Sequence, residues 1–164
     1  MDMVYAPTVF AKAAAEAGYA PFPGPSANMS RAYTNPLGVQ LAPCTYCGFC
    51  EKFACGNYSK ATPATTIIPV LMRKPNFTLR TNSMVTRVLM DRQGRQARGV
   101  EYVTEEGEVV HQPADIVILG AYILENVHLL LVSGIGTPYD PVSAEGLVGK
   151  NYAYQITSSV TCFY

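Results

Sequence analysis

Asp115-Ile116-Val117-Ile118-Leu119-Gly120-Ala121-Tyr122-Ile123-Leu124-Glu125-Asn126-Val127-His128-Leu129-Leu130-Leu131-Val132-Ser133-Gly134-Ile135-Gly136 is the stretch on which the fold class turns. Its first part, Ile116 to Leu119, is a continuous apolar run, the mark of a strand covered on both faces. A helix through Ile123, Leu124, Val127, Leu130 and Leu131 is predicted to follow directly and to stop at Ser133-Gly134-Ile135-Gly136. Strand, tight glycine-containing turn and apolar helix make half of a βαβ unit. A parallel sheet needs several such units, and this chain supplies about one. The expected class is therefore α+β, or an excerpt of an α/β fold that is incomplete on its own.

Upstream, the apolar period changes to two. Phe77-Thr78-Leu79-Arg80 and Met84 to Met90 alternate as strands. Asp91-Arg92-Gln93-Gly94 reads as a turn, with Gly99 to Val103 as the returning strand. Glu105-Glu106-Gly107 makes a second turn before Val109-Val110, which completes a β-meander. Nearer the N-terminus, residues 8–17 predict a short alanine-rich surface helix, with Pro7 tolerated before it, Gly18 as its stop and Val9, Ala13 and Ala17 on one face. Residues 21–43 carry five prolines and cannot form a long regular element. An irregular connection of that length is usually functional or docked on something. Thr65 or Thr66 is expected to cap a helix to about Lys74, with Pro69 in its first turns and Ile68, Leu71 and Met72 facing inward. Beyond Pro138 the chain reads as loop, with a β-prone stretch from Gln155 to Phe163.

Composition narrows the function classes. The chain has 164 residues, enough for one ordinary domain. Only 15% of them are charged, against about 25% in a typical soluble domain. Either part of the surface is covered by something else, or the chain is expected to be a piece of a larger protein. Twelve Lys and Arg balance twelve Asp and Glu, which removes the basic footprint of a nucleic-acid binder and a polybasic membrane anchor. The apolar run 116–124 is far short of the roughly 20 residues that span a bilayer. Met1-Asp2-Met3-Val4 shows no basic region leading into an apolar one, so no signal peptide is visible.

Four of the five cysteines fall within twelve residues: Cys44-Thr45-Tyr46-Cys47-Gly48-Phe49-Cys50-Glu51-Lys52-Phe53-Ala54-Cys55, a C-x2-C-x2-C-x4-C run. Three readings compete. An iron–sulfur cluster is served by thiolates at x2-x2 spacing, which can wrap one face of a cuboidal cluster. A structural zinc site usually draws two well-separated C-x2-C pairs, whereas here one tight loop would supply every ligand. Disulfides across C-x2-C are strained and tend to be redox-active. The x4 gap, ending Cys55-Gly56, departs from ferredoxin runs and leaves the part of Cys55 open. Cys162 stands alone.

Other candidates are weaker. His128 lies mid-helix and reads as structural; His111 reads as solvated, and neither has an evident carboxylate or serine partner in sequence. The glycines of Ser133-Gly134-Ile135-Gly136 follow a helix instead of opening one, and no G-x-G-x-x-G occurs, so the dinucleotide fingerprint is absent. No catalytic residue is assigned.

An ordered set of segments resembles a known family. Asn76-Phe77-Thr78-Leu79-Arg80-Thr81, Val85-Thr86-Arg87-Val88, Gly99-Val100-Glu101-Tyr102, Ala114 to Leu119, Leu129 to Gly136 and Gly146-Leu147-Val148-Gly149-Lys150-Asn151-Tyr152 occur in the order and spacing of the central part of the glucose–methanol–choline (GMC) flavoprotein oxidoreductases. The cysteine loop, with Pro23, Pro25-Ser26-Ala27-Asn28 before it and Tyr58-Ser59-Lys60-Ala61 after it, is similar to the flavoprotein subunits of bacterial gluconate and related sugar-acid dehydrogenases. The resemblance covers about residues 15 to 160.

The resemblance implies a two-domain FAD enzyme in which flavin takes hydride from an alcohol carbon. It implies that the Cys44, Cys47, Cys50 and Cys55 loop holds an iron–sulfur centre of three-iron type, passing electrons to a cytochrome c subunit. It places Val85 at the adenine and Gly120 and Ala121 in the turn near the FAD. Where the wider family has a small-residue turn and Ser-Pro, this sequence has Ala121-Tyr122 and Asn126-Val127. By the same resemblance the chain divides into residues 1–43 (helix and proline-rich connection), 44–60 (cysteine-rich loop), 61–137 (hairpin-bearing part of an FAD-binding domain) and 138–164 (connection toward a substrate domain). The catalytic histidine segment of the family has no counterpart here, so the chain is expected to be inactive alone. Its implied partners are the remainder of the flavoprotein, a cytochrome c subunit and a small subunit, in the periplasm and peripheral to the inner membrane. Exposed apolar surface implies a homo-oligomer when the chain stands alone. The alternative is a free-standing iron–sulfur or zinc module built around Cys44–Cys55.

Overall fold

The computed structural model describes residues 3–50, 53–155 and 159–161. The chain is α+β and falls into two compact units, Met1–Leu79 and Arg80–Tyr164.

The first unit opens with α1 (Tyr5–Glu16). It starts three residues before the predicted position because Pro7 sits in the first turn, where a missing N–H costs nothing. Its C-terminus is a Schellman cap: Gly18 takes φ +85°, its N–H meets Ala15 O, and Tyr19 N–H meets Ala14 O. The helix is exposed, as expected, but its half-buried residues are Ala11 and Ala14 rather than Val9, Ala13 and Ala17. The proline-rich connection contains a short antiparallel pair, β1 (Tyr33–Thr34) and β2 (Gln40–Leu41). Asn35 builds the turn between them, its Oδ1 accepting both Leu37 N–H and Val39 N–H at 2.9 Å.

The helix expected from Thr65 to Lys74 is two single turns, α2 (Pro63–Thr66) and α3 (Ile68–Leu71). Thr62 precedes the first turn, and its N–H is taken by Thr65 Oγ1 at 3.0 Å. Pro69 has no N–H to carry the ladder through Ile67, so the helix breaks there. Asn35 Nδ2 satisfies the Thr66 carbonyl at the break. Ile68 and Leu71 are half-buried, but Met72 is exposed.

The second unit is the predicted meander with one helix. The strands β3 (Met84–Met90), β4 (Ala97–Val103) and β5 (Val109–Pro113) form an antiparallel sheet in that order. Asp91 Oδ1 accepts Arg95 N–H and closes the first turn. Gly99 is the residue that lets β4 and β5 approach: its φ is +145°, and a Cβ there would collide with the Gln112 carbonyl. The helix α4 (Ile123–Val132) packs on β3, and among the described residues of this unit the buried hydrophobic ones are Val88, Tyr102 and Leu129. Arg80 Nη1 donates to Tyr102 OH at 2.9 Å.

Two expected strands do not form. Phe77–Arg80 pairs with no strand, and neither does Ile116–Leu119. The physical reason is the same in both: a strand persists only where a neighbour takes its N–H and C=O groups, and the described residues offer none. Ile116 and Ile118 are consequently 79% and 88% exposed. After α4, residues 137–150 are loop, tied by Leu147 N–H and Val148 N–H to Thr137 O and by Tyr139 N–H to Val148 O. Part of the β-prone stretch 155–163, and Cys162 with it, lies outside the described residues.

Candidate functional site

The cysteine loop is pinned at its base by one residue. Met29 O accepts Cys44 N–H at 2.8 Å, and Met29 N–H donates to Ser59 O at 3.1 Å. Ser59 is fully buried, and its hydroxyl also bonds the Met29 backbone. The two ends of the loop, 44 and 59, are thus held on a shared strand-like segment, and Asn28 bridges to Lys60 beside it.

Within the loop, the sulfurs of Cys50 and Cys44 meet nitrogen donors, and that of Cys55 meets a carboxamide oxygen. Asn28 Nδ2 lies 3.5 Å from Cys50 Sγ, and Tyr46 N–H lies 3.4 Å from Cys44 Sγ. The Cys55 thiol donates to Asn57 Oδ1 at 2.7 Å. Asn57 Nδ2 then reaches across to Pro43 O and Thr45 Oγ1, joining the two arms. The backbone N–H of Lys60 holds the Cys55 thiol below its ordinary pKa, helped by the N–H groups of Ser59 and Asn57 and by the Lys60 charge, against the opposing effect of burial. Lys60 Nζ also donates to Cys50 O at 2.6 Å.

All four thiols are free; Cys44 and Cys55 are half-buried, and Cys47 and Cys50 are exposed. The disulfide reading is therefore not realised. The donor chemistry suits thiolate ligands, since N–H groups aimed at sulfur are what stabilise them. The geometry is not assembled, however: among the described residues no three Cys, His, Asp or Glu side chains converge on a point that a metal ion could occupy.

The residues expected near FAD lie in the second unit. Val85, on β3, is 40% exposed and adjoins an irregularity in which the register shifts between Val85 and Arg87. Such a bulge releases backbone groups from the ladder and is common beside sites. Gly120 and Ala121 form an exposed turn between the unpaired run and α4. A side chain at Gly120 would meet nothing within 4 Å, so the turn has open space over it.

The sequence reading missed residues that support these features. Asn57, Met29 and Lys60 reach the cysteines across the loop. Asn126 Oδ1 accepts Ala121 N–H at 2.8 Å, and its Nδ2 donates to Leu119 O at 3.4 Å. An asparagine in the first turn of a helix was the available signal for the latter. His111 is exposed, as expected, but both histidines have the carboxylate partner that the sequence reading did not find. His111 Nε2 is 3.0 Å from Glu101 Oε2 on the neighbouring strand, and His128 Nδ1 is 3.4 Å from Glu125 Oε2 one turn back. Glu101 also binds Arg87 at 2.7 Å and Thr86 Oγ1 at 2.9 Å, and these bonds, Arg87 first, lower its pKa to about 2. Cross-strand register brought Glu101 and His111 together, which spacing along the chain does not reveal.

The GMC oxidoreductase family matches residues 6–157, and the chain belongs to that family, which implies FAD as cofactor. The chain is also 48% identical over 160 residues to the gluconate 2-dehydrogenase flavoprotein of Pantoea cypripedii, covering 98% of this chain. It spans 26% of the length of that relative. No solved structure matches the chain significantly.

Proposed function

We propose that this chain is the central segment of an FAD-dependent dehydrogenase that oxidises a CH–OH group of a sugar acid of the gluconate class. The observation that carries the reading is the 48% identity to a gluconate 2-dehydrogenase flavoprotein, sustained across 98% of the chain. Bound FAD supplies acceptance of hydride from the alcohol carbon. On this reading Val85 offers backbone beside the bulge to the adenine, and Gly120 and Ala121 offer an unobstructed turn to the flavin. The isolated segment carries out no turnover, because no residue here is assigned as the base that removes the hydroxyl proton.

The finer part of the proposal concerns the cysteine loop. Cys44, Cys47 and Cys50, with Cys55, are proposed to hold an iron–sulfur centre of three-iron type once the loop closes around it. The Met29 clamp at its base, the N–H donors facing sulfur and the free state of the thiols support that reading. Such a centre suits electron delivery to a cytochrome c subunit, with a small subunit completing the complex on the periplasmic face of the inner membrane.

The test is a full-length flavoprotein carrying this segment. Expected are one FAD per chain, acid-labile sulfide with iron, and gluconate-dependent reduction of a dye. Full-length protein that binds no flavin and reduces no dye with any sugar acid would overturn the dehydrogenase reading. Flavin without iron would overturn the cluster alone.

A further inference from the structure

We propose that Asn126 is a positioning residue for the turn Leu119–Tyr122, holding it in a shape that its own residues do not favour and so setting the backbone that faces the flavin. The flavin part of this rests on the reading given above; the clamp itself does not.

Tyr122 adopts φ +73° and ψ 153°, immediately before α4. That region is essentially reserved for glycine, because a Cβ crowds the backbone there, and a tyrosine persists in it only where its surroundings over-determine it. The Tyr122 ring is largely exposed, so its burial does not hold the turn. Asn126 does so at three points. Its Oδ1 accepts Ala121 N–H at 2.8 Å, its Nδ2 donates to Leu119 O at 3.4 Å, and its own N–H donates to Tyr122 O at 2.8 Å. The bonds flank Gly120 on both sides. Asn126 is half-buried and stands on a helix anchored by buried Leu129, so the clamp is fixed to the rigid part of the unit.

The carboxamide is suited to this task because it presents an acceptor and a donor at once. Aspartate is nearly isosteric but sets an oxygen against the Leu119 carbonyl, and alanine removes both contacts. Glycine at 122 removes the need for a clamp, since it enters the same φ and ψ freely. Asn126 and Tyr122 are therefore expected to be energetically coupled.

The test uses the full-length flavoprotein with Asn126→Ala, Asn126→Asp, Tyr122→Gly and the double variants. Expected for Asn126→Ala are FAD affinity lowered at least tenfold, an altered flavin circular dichroism band and a shifted flavin midpoint potential, with Asn126→Asp intermediate. Tyr122→Gly is expected to restore the band in either background. A lower melting temperature with affinity, band and potential all unchanged would make Asn126 merely structural and overturn the proposal. Should the unsubstituted protein bind no FAD, the dehydrogenase reading fails, and the clamp is judged by melting temperature. Suppression of the Asn126→Ala loss by Tyr122→Gly upholds the clamp, and simple additivity overturns it. Where Asn126→Ala does not fold, Asn126→Asp and its double variant decide by the same measures.

Discussion

Val88, in the middle of β3, gives its backbone N–H to Ser133 Oγ at 2.8 Å, across 45 residues of sequence. Ser133 caps α4 and its hydroxyl in turn donates to Leu129 O. One hydroxyl therefore ties the helix to the sheet and satisfies an N–H on a buried residue. Ser133→Ala leaves that N–H without a partner. The expected loss is about 1–3 kcal/mol, the cost of an unsatisfied buried donor, read by urea unfolding of the full-length protein. An unchanged midpoint would show that water replaces the hydroxyl.

Gly99 carries the close approach of β4 and β5. Gly99→Ala forces a side chain into φ +145° and against the Gln112 carbonyl. Backbone strain alone costs about 1–3 kcal/mol, and the overlap adds to it. Gly94, in the exposed turn, has open space around it but a φ of +66°. Gly94→Asn is expected to be tolerated there, because asparagine enters the left-handed region readily. Thermal melts of the two variants should separate clearly.

Glu101 makes the meander acid-sensitive. Its pKa is about 2 in the fold against an ordinary 4.5. A depressed carboxylate stabilises the fold fully above its unfolded value, and that contribution is lost as pH falls from about 4.5 through about 2. Glu101→Gln should flatten stability over this window while leaving the profile above pH 5 parallel to that of the unsubstituted protein. Chemical denaturation at stepped pH measures it.

On the proposed cluster reading, iron in the cysteine loop depends on deprotonated thiolates. Cys47→Ser is expected to abolish the iron content, and acidification should release the metal from the unsubstituted protein. Cys162→Ser should leave iron intact. Equal iron in the Cys47 variant and the unsubstituted protein would refute the ligand set.

The unpaired run from Ile116 to Leu119 leaves apolar surface open, with Ile116 and Ile118 mostly exposed. Produced alone, the 164-residue chain is expected to self-associate through it. Light scattering after size exclusion should give a dimer or larger, shifted toward 17.8 kDa by Ile116→Ser with Ile118→Ser. A clean monomer before substitution would rule this out.

What the sequence determined by itself is local. The Gly18 stop, the turn at Asp91 to Gly94, the period-two strands 84–90 and 99–103 and the helix from Ile123 all follow from neighbours a few residues apart, where steric limits on φ and side-chain periodicity act directly. The cysteine spacing likewise puts four thiols, free in the fold, on one loop. The tertiary structure decided whatever needs a partner far along the chain. Met29 joins Cys44 to Ser59, Ser133 joins Val88, and the β4–β5 register sets His111 on Glu101. It also decided against Phe77–Arg80 and Ile116–Leu119 as strands. Their alternating or apolar pattern states that they can be strands, but hydrogen-bonded partners make them so, and pattern alone carries no information about whether a partner is there.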